Sequence, residues 1–251
     1  MLRLRQICLV AEHLKAAEDD LAAVLGLSVC YRDPAVSKYG LENVLLPIGR
    51  DFLEVVAPVE AGTTAGRYLE RRGGDGGYIV ILQSDDAERR RTRYPEIGVR
   101  IANTMEHGGF LGTQLHPKDT GGCMLEVDRQ EGDVVDGAWD PAGRDWERAV
   151  RTDRTAAMTG CTLQGQDPER LAKRWADILE RPAEAAGAGF RIPLDNGAIA
   201  VLPPQDDRGD GLIGVSLRAA DPSAILDTAR ARGLPTAPGR VTIAGTHFDF
   251  A

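Results

Sequence analysis

Apolar and polar positions alternate along this chain in blocks that predict short strands and amphipathic helices in a repeating order. Residues 3–11 (RLRQICLVA) form a strand-like run. From about His13 to Leu25 the residues Leu14, Ala17, Leu21 and Val24/Leu25 recur on one helical face, and Gly26 is a natural stop. Strands are then expected at Leu27–Arg32, Val44–Ile48 and Phe52–Ala57, the last ending at Pro58. This is β-α-β-β-β. After the glycine-rich stretch Gly73–Gly77 the order returns: a strand at Tyr78–Leu82, a charged helix over about Asp86–Pro95, and strands near Val99–Ile101, Gly112–Leu115 and Cys123–Val127. The glycine-rich stretch leads into a strand rather than a helix, so it lacks the amide-rich helix N-terminus of a phosphate site and reads as a crossover loop.

The repeat has a measurable spacing. Gln6 to Glu54 and Tyr78 to Glu126 are each 48 positions apart, and Leu53-Glu54-Val55 recurs as Leu125-Glu126-Val127. The second half follows the same plan. A strand at Cys161–Leu163 precedes a helix at Pro168–Leu179, with further strands at Phe190–Pro193 and Ala198–Leu202. Gly209-Asp210-Gly211 repeats Gly74-Asp75-Gly76, and a helix at Pro222–Arg232 and a last strand at Gly245–Phe250 follow. The expected fold class is therefore α+β: four βαβββ modules paired into two clefts of mixed, curved sheet. Residues 1–132 form the first domain. Residues 133–155, polar but carrying Trp139 and Trp146, form a linker packed across the junction, and residues 156–251 a degenerate second domain.

Composition narrows the function classes. A net charge of −8 argues against nucleic acid as a partner, because phosphates require a basic face, and the run Arg89-Arg90-Arg91 is diluted by Asp85, Asp86 and Glu88. No stretch reaches the roughly 18 apolar residues of a membrane span, and the strand-like start leaves no room for a leader. Cys8, Cys30, Cys123 and Cys161 show no paired spacing and read as reduced thiols, so a cytoplasmic location is expected.

The segment His116-Pro117-Lys118-Asp119-Thr120-Gly121-Gly122, followed by Leu125-Glu126, is similar to the closing hairpin of epimerases in the vicinal oxygen chelate superfamily. The modular order resembles that superfamily over nearly the whole chain, and the motifs do so over about residues 3–130. Its members include glyoxalase I, methylmalonyl-CoA epimerase, extradiol dioxygenases and bleomycin-resistance proteins. The resemblance implies a cleft with ligand places at Gln6, Glu54, Tyr78 and Glu126. Some glyoxalase I enzymes use Gln, Glu, His and Glu there, so Tyr78 is the departure. A phenol is a poor ligand, and the remaining oxygen-only set of Gln6, Glu54 and Glu126 suits magnesium, manganese or calcium better than the metals an imidazole favours. A divalent cation (Mg, Mn or Zn) and its absence both stay open. A dioxygenase is disfavoured, because non-haem iron takes two histidines. In the second half the matching places read Gly160, Ala200, Ile213 and Asp249, a set that holds no cation.

Glu54 and Glu126 each sit inside an otherwise apolar strand, where a carboxylate needs a cation, a proton or a donor unless it turns to solvent. As cleft residues they are the candidate catalytic pair, with one moving a proton α to a carbonyl. Tyr78 and His116 are candidate substrate-binding residues; Tyr78 could equally fill the vacated histidine space and hydrogen-bond Glu54 or Glu126. Arg5 and Arg100 could recognise an anion. His13, His107 and His247 read as surface, loop and structural residues. Two functions follow. One is a lyase or isomerase acting on a small carbonyl-containing or hydrophobic metabolite, with or without a cation. The other is a metal-free sequestering protein of the bleomycin-resistance type. Monomer and homodimer are both compatible with the sequence.

Overall fold

A central strand buried on both faces organises the first half. The computed structural model describes residues 1–132 and 137–250, so the first four residues of the expected linker lie outside the described residues, as does the C-terminal residue. In order come β1 (Leu2–Val10), α1 (Leu14–Leu25), β2 (Leu41–Ile48), β3 (Asp51–Pro58), α2 (Thr64–Arg72), β4 (Gly76–Ser84) and α3 (Ala87–Glu96). Then follow β5 (Ile101–His107), β6 (Phe110–Leu115), the single-turn α4 (Pro117–Thr120) and β7 (Met124–Gln130). The second half contains β8 (Thr155–Gln164), α5 (Pro168–Leu179), β9 (Glu184–Ala186), β10 (Gly189–Leu194), β11 (Gly197–Leu202) and β12 (Gly211–Ala219). It closes with α6 (Pro222–Ala231), β13 (Thr236–Ala237), β14 (Arg240–Ile243) and β15 (Thr246–Phe250).

These elements form an α+β fold with two mixed sheets among the described residues, ordered β2-β3-β1-β4-β7-β6-β5 and β13-β14-β15-β12-β8-β11-β10-β9. Each sheet has an antiparallel centre, β1 with β4 or β8 with β12, flanked by parallel pairs. The first module therefore pairs with the second, and the third with the fourth, inside the one chain. Each sheet carries a pseudo-twofold axis between its two central strands.

Two local expectations change. The strand expected at Leu27–Arg32 reduces to one bridge, Tyr31 to Leu45, because Asp33-Pro34 starts a 3-10 turn over Pro34–Tyr39 and proline offers no amide for a ladder. The helix α2 was not anticipated. Its signals were local all the same: Thr63 caps it by accepting from the Gly66 amide, and Gly73 ends it at φ 69°.

One apolar core joins both halves. Leu4, Ile7, Leu21, Leu82 and Leu125 of the first half belong to the same buried cluster as Trp175, Ile199, Val215 and Phe248 of the second. The central strands β4 and β12 meet where Gly77 has no side chain; a Cβ there would lie 2.4 Å from Leu212 Cγ. No helix among the described residues is long and apolar enough to cross a membrane. The four cysteines are unpaired, three of them buried.

Arg72 fastens the junction. It is 4% exposed, and its Nη1 donates to the carbonyls of Arg208, Gly209 and Asp210 at 2.7, 2.9 and 2.9 Å. Arg208 answers by donating to the carbonyls of Arg72 and Gly74. Replacing Arg72 with Ala leaves three inward carbonyls without a donor. It is expected to cost about 2–4 kcal/mol in urea unfolding, far above a surface-charge deletion. A loss below about 0.5 kcal/mol would show that the junction rests on apolar contact alone.

Candidate active site

The concave face of the first sheet, opposite the shared core, encloses a cleft of about 1040 Å³. Strand alternation sends Ile7, Leu9, Val80 and Leu82 into the core, and Gln6, Cys8, Ile79 and Ile81 into the cleft. Gln6, Glu54, Tyr78 and Glu126 all line it, between 2 and 9% exposed. His116 does not. It precedes α4, where its Nδ1 accepts from the Lys118 amide at 3.2 Å, a capping role. Of the other residues weighed from sequence, Arg100 is ion-paired with Asp119 at the surface, and His107 lies on the cleft rim, 3.2 Å from Asp140.

Tyr78 occupies a different place from the one its 48-residue spacing suggested. Cys8 pairs with Glu54 and Gln6 with Phe52; in the second module Ile81 pairs with Glu126 and Ile79 with Met124. The counterpart of Gln6 is therefore Ile79. The ladder between β1 and β4 shifts register between Leu4 and Gln6 and again between Cys8 and Leu9, so each strand carries one extra residue. Those extra residues are Arg5 and Tyr78, related by the pseudo-twofold axis. A bulge turns an extra side chain out of the normal alternation. The fourth module repeats the pattern: Ser216 pairs with Asp249 and Gly214 with His247, so Gly214, rather than Ile213, stands at that place. Asp249 is taken by Arg240.

The two bulge residues have separate fates. The Arg5 guanidinium is fully buried, 5.2 Å from the ring centres of Phe52 and Trp139 and 5.9 Å from that of Trp146, so it supports the sheet and does not reach a ligand. Tyr78 stacks edge-on against Tyr68, with ring centres 4.9 Å apart, and burial pushes its phenol above the usual range, keeping it neutral. The expected hydrogen bond from Tyr78 to Glu54 or Glu126 gives way to amide donors.

Glu54 is held by a chain of such donors. Gln6 Nε2 donates to Glu54 Oε2 at 2.9 Å, and Asn43 Nδ2 donates to Oε1 at 2.7 Å. Trp139 Nε1 in turn donates to Gln6 Oε1 at 2.8 Å. An indole N–H can only donate and a carboxylate can only accept, so the Gln6 amide has one workable orientation. Burial raises the Glu54 pKa, while Asn43, Cys8 and Gln6 oppose the shift. The tryptophans expected across the junction are thus part of this site: Trp139 and Trp146 pack beneath the cleft beside Phe52 and Phe110.

Glu126 faces the same cleft from β7. Gln114 Nε2 donates to its Oε2 at 2.8 Å, and Asp128, two residues along the same face, is its neighbour. Asp128 is fully buried, and its Oδ2 receives no donor from the described residues, so the two carboxyls can bond only by sharing a proton. Burial pushes Glu126 up to about 7, with the charge of Glu54 adding to the shift. Burial and the charge of Glu126 hold Asp128 well above the usual carboxylate range. Burial thus favours the protonated form of both carboxyls, and the charge on either one opposes ionisation of the other. Asp128 was legible, since alternation places residue i+2 on the same face. Asn43, Gln114 and Trp139 come from other elements and carried no local signal.

A family model described as the glyoxalase-like domain matches residues 7–179. The chain belongs to the glyoxalase-like family. Ethylmalonyl-CoA/methylmalonyl-CoA epimerase of Cereibacter sphaeroides is 24% identical over 132 residues, covering 51% of this chain and 97% of that protein. Two solved structures span this whole glyoxalase-like chain. One, a hypothetical protein from Staphylococcus aureus, has a TM-score of 0.70 at 13% identity and is covered over 99% of its length. The other, the Mn(II)-bound glyoxalase from Novosphingobium aromaticivorans, has a TM-score of 0.67 at 14% identity and is covered over 82%.

The four places implied by the resemblance can be tested for a cation on their own donor chemistry. They do not fit one. The only metal-donor atom of Gln6 is engaged by Trp139, both Glu54 oxygens accept amide protons, and the fourth place is Ile79. No cluster of three His, Cys, Asp or Glu side chains suited to a metal occurs among the described residues. Amide donors from Gln6 and Asn43 meet the two Glu54 oxygens.

Proposed function

We propose that this glyoxalase-like cleft binds a small carbonyl-containing metabolite and that Glu126 moves a proton on the carbon next to the carbonyl, an isomerase-type reaction. The observation that carries this reading is the Glu126 carboxylate, 4% exposed on the wall of a substrate-sized cleft beside Asp128, where burial pushes it up to about 7. A base poised near the working pH combines a useful ionised fraction with useful basicity. Ionised Glu126 takes the α proton, and the C–H electron pair moves into the enolate. Returning the proton to either face completes an isomerisation. Tyr78, kept neutral, is a cleft hydroxyl able to donate to the carbonyl oxygen, and Glu54 is a second carboxylate for the opposite face. The epimerase relative, matched over its near-full length, supports the reaction class. The reading assigns no resident cation to Gln6, Glu54 and Glu126.

The test is exchange of the α proton with D₂O, followed by NMR on a panel of α-substituted ketones and thioesters, with and without EDTA. Exchange is expected to survive EDTA. Because the base must be ionised, the rate should rise with pH to a plateau, with its midpoint near the Glu126 value of about 7. Saturable ligand binding with no exchange on any panel member would sink the enzyme reading in favour of a sequestering protein. Loss of exchange in EDTA, restored by Mn²⁺, would overturn the cation-free assignment.

A further inference from the structure

We propose that the ligand of this cleft is neutral or cationic, and that the cleft excludes anionic acyl compounds such as carboxylates and phosphate-bearing thioesters. The inference rests on the reading of the cleft as a carbonyl-binding site. Seven acidic residues line it (Asp33, Glu54, Glu60, Glu106, Glu126, Asp128 and Asp140), against Lys38 and His107. Arginine is absent from the lining among the described residues.

The guanidinium groups around the cleft already have partners, although Arg91 offsets the charge of the lining residue Glu106 and the charges of Arg71 and Arg67 reach Tyr78 from outside the lining. Arg91 is bound to Glu106, Arg32 to Glu18, and Arg67 to the Gly62 carbonyl and the Thr64 hydroxyl; Arg71 lies over the Tyr68 ring, and Arg5 is boxed by Phe52, Trp139 and Trp146. Lys38 is exposed over the Tyr39 ring. Asp33 and Glu60, at the rim, form no ion pair among the described residues, and the charge of Asp33 reaches Glu54 at the floor. Asp128 adds little repulsion of its own, because burial and the charge of Glu126 favour its protonated form. An anion entering here would leave water to face carboxylates with no fixed cation to receive it, a repulsion that the enclosed site strengthens. An ammonium group would meet those carboxylates between the aromatic walls of Tyr31, Tyr78 and Phe110, surfaces that also favour cations.

The experiment uses three ligands with one scaffold: acetophenone carrying a para aminomethyl, hydroxymethyl or carboxyl group. Binding to the full-length protein is titrated by calorimetry at low and at high salt, and α-proton exchange of the acetyl methyl is followed in parallel. The amine is expected to bind best and the carboxylate at least about tenfold more weakly, with the gap narrowing at high salt. The rim variants Asp33→Asn and Glu60→Gln, which leave the floor intact, should narrow the gap as well. Equal or tighter binding of the carboxylate, or no binding of any member at millimolar concentration, overturns the inference. The two readings fail separately. The charge order without exchange sinks the proton-transfer reading alone, while exchange with the carboxylate preferred sinks the charge inference alone.

Discussion

Replacing Glu126 with Gln is expected to slow α-proton exchange by about 10²–10⁴-fold, the range that a positioned base contributes. Gln keeps the length and can still meet Gln114 and Asp128, so the fold should survive. A stability measurement separates chemistry from structure. The folded Glu126 pKa, about 7, lies above the ordinary value of 4.5. Its favourable contribution is therefore full below pH 4.5 and is lost as pH rises through about 7, because the unfolded chain releases its proton first. Urea titrations of the parent protein should show stability falling over that window, and the Gln variant should show a flatter profile. Parent-like exchange in the variant would remove Glu126 from the reaction. A flatter stability profile would then still identify it as a buried titrating group.

The second large effect is structural. Trp139 is fully buried, its ring stands edge-on to Phe110 with centres 5.6 Å apart, and its N–H holds Gln6. Trp139→Ala is expected to cost about 3–5 kcal/mol, from the cavity it opens together with the acceptor left without a donor on Gln6. Trp139→Phe keeps most of the ring and removes only the donor, so it should cost about 1–3 kcal/mol. That difference measures the amide chain that ends on Glu54. Urea unfolding at neutral pH reads both variants. If Trp139→Phe is as stable as the parent, the Trp139–Gln6–Glu54 chain adds nothing to the fold and Gln6 is free to turn.

Much of the architecture was present in local pattern. The helix at Pro168–Leu179 coincides with α5, the strand around Glu54 lies within β3 and the one around Glu126 overlaps β7, because each depends on periodicity and caps within a dozen residues. Alternation left those glutamates facing either the cleft or solvent, and the fold places both in the cleft. What the spacing could not reveal was the bulge. Both β1 and β4 carry one, but the second module is one residue shorter between the equivalent places, 47 from Ile79 to Glu126 against 48 from Gln6 to Glu54, so the equal count falls on the bulge residue Tyr78. Only the cross-strand register exposes that shift, since register is a property of two strands and not of one.

The sequence by itself determined the module order, the α+β class, and the placing of Glu54 and Glu126 at matching positions of repeated strands. These rest on residue type and period, which act locally. Tertiary structure decided how the modules pair and that Trp139, 133 positions from Gln6, closes the amide chain on Glu54. It also decided that Asp128 and Glu126 titrate together and that His116 caps a turn away from the cleft. Each of these depends on burial and on partners brought from distant segments. A carboxylate's chemistry is set by what surrounds it after folding, and no single stretch of chain contains those neighbours.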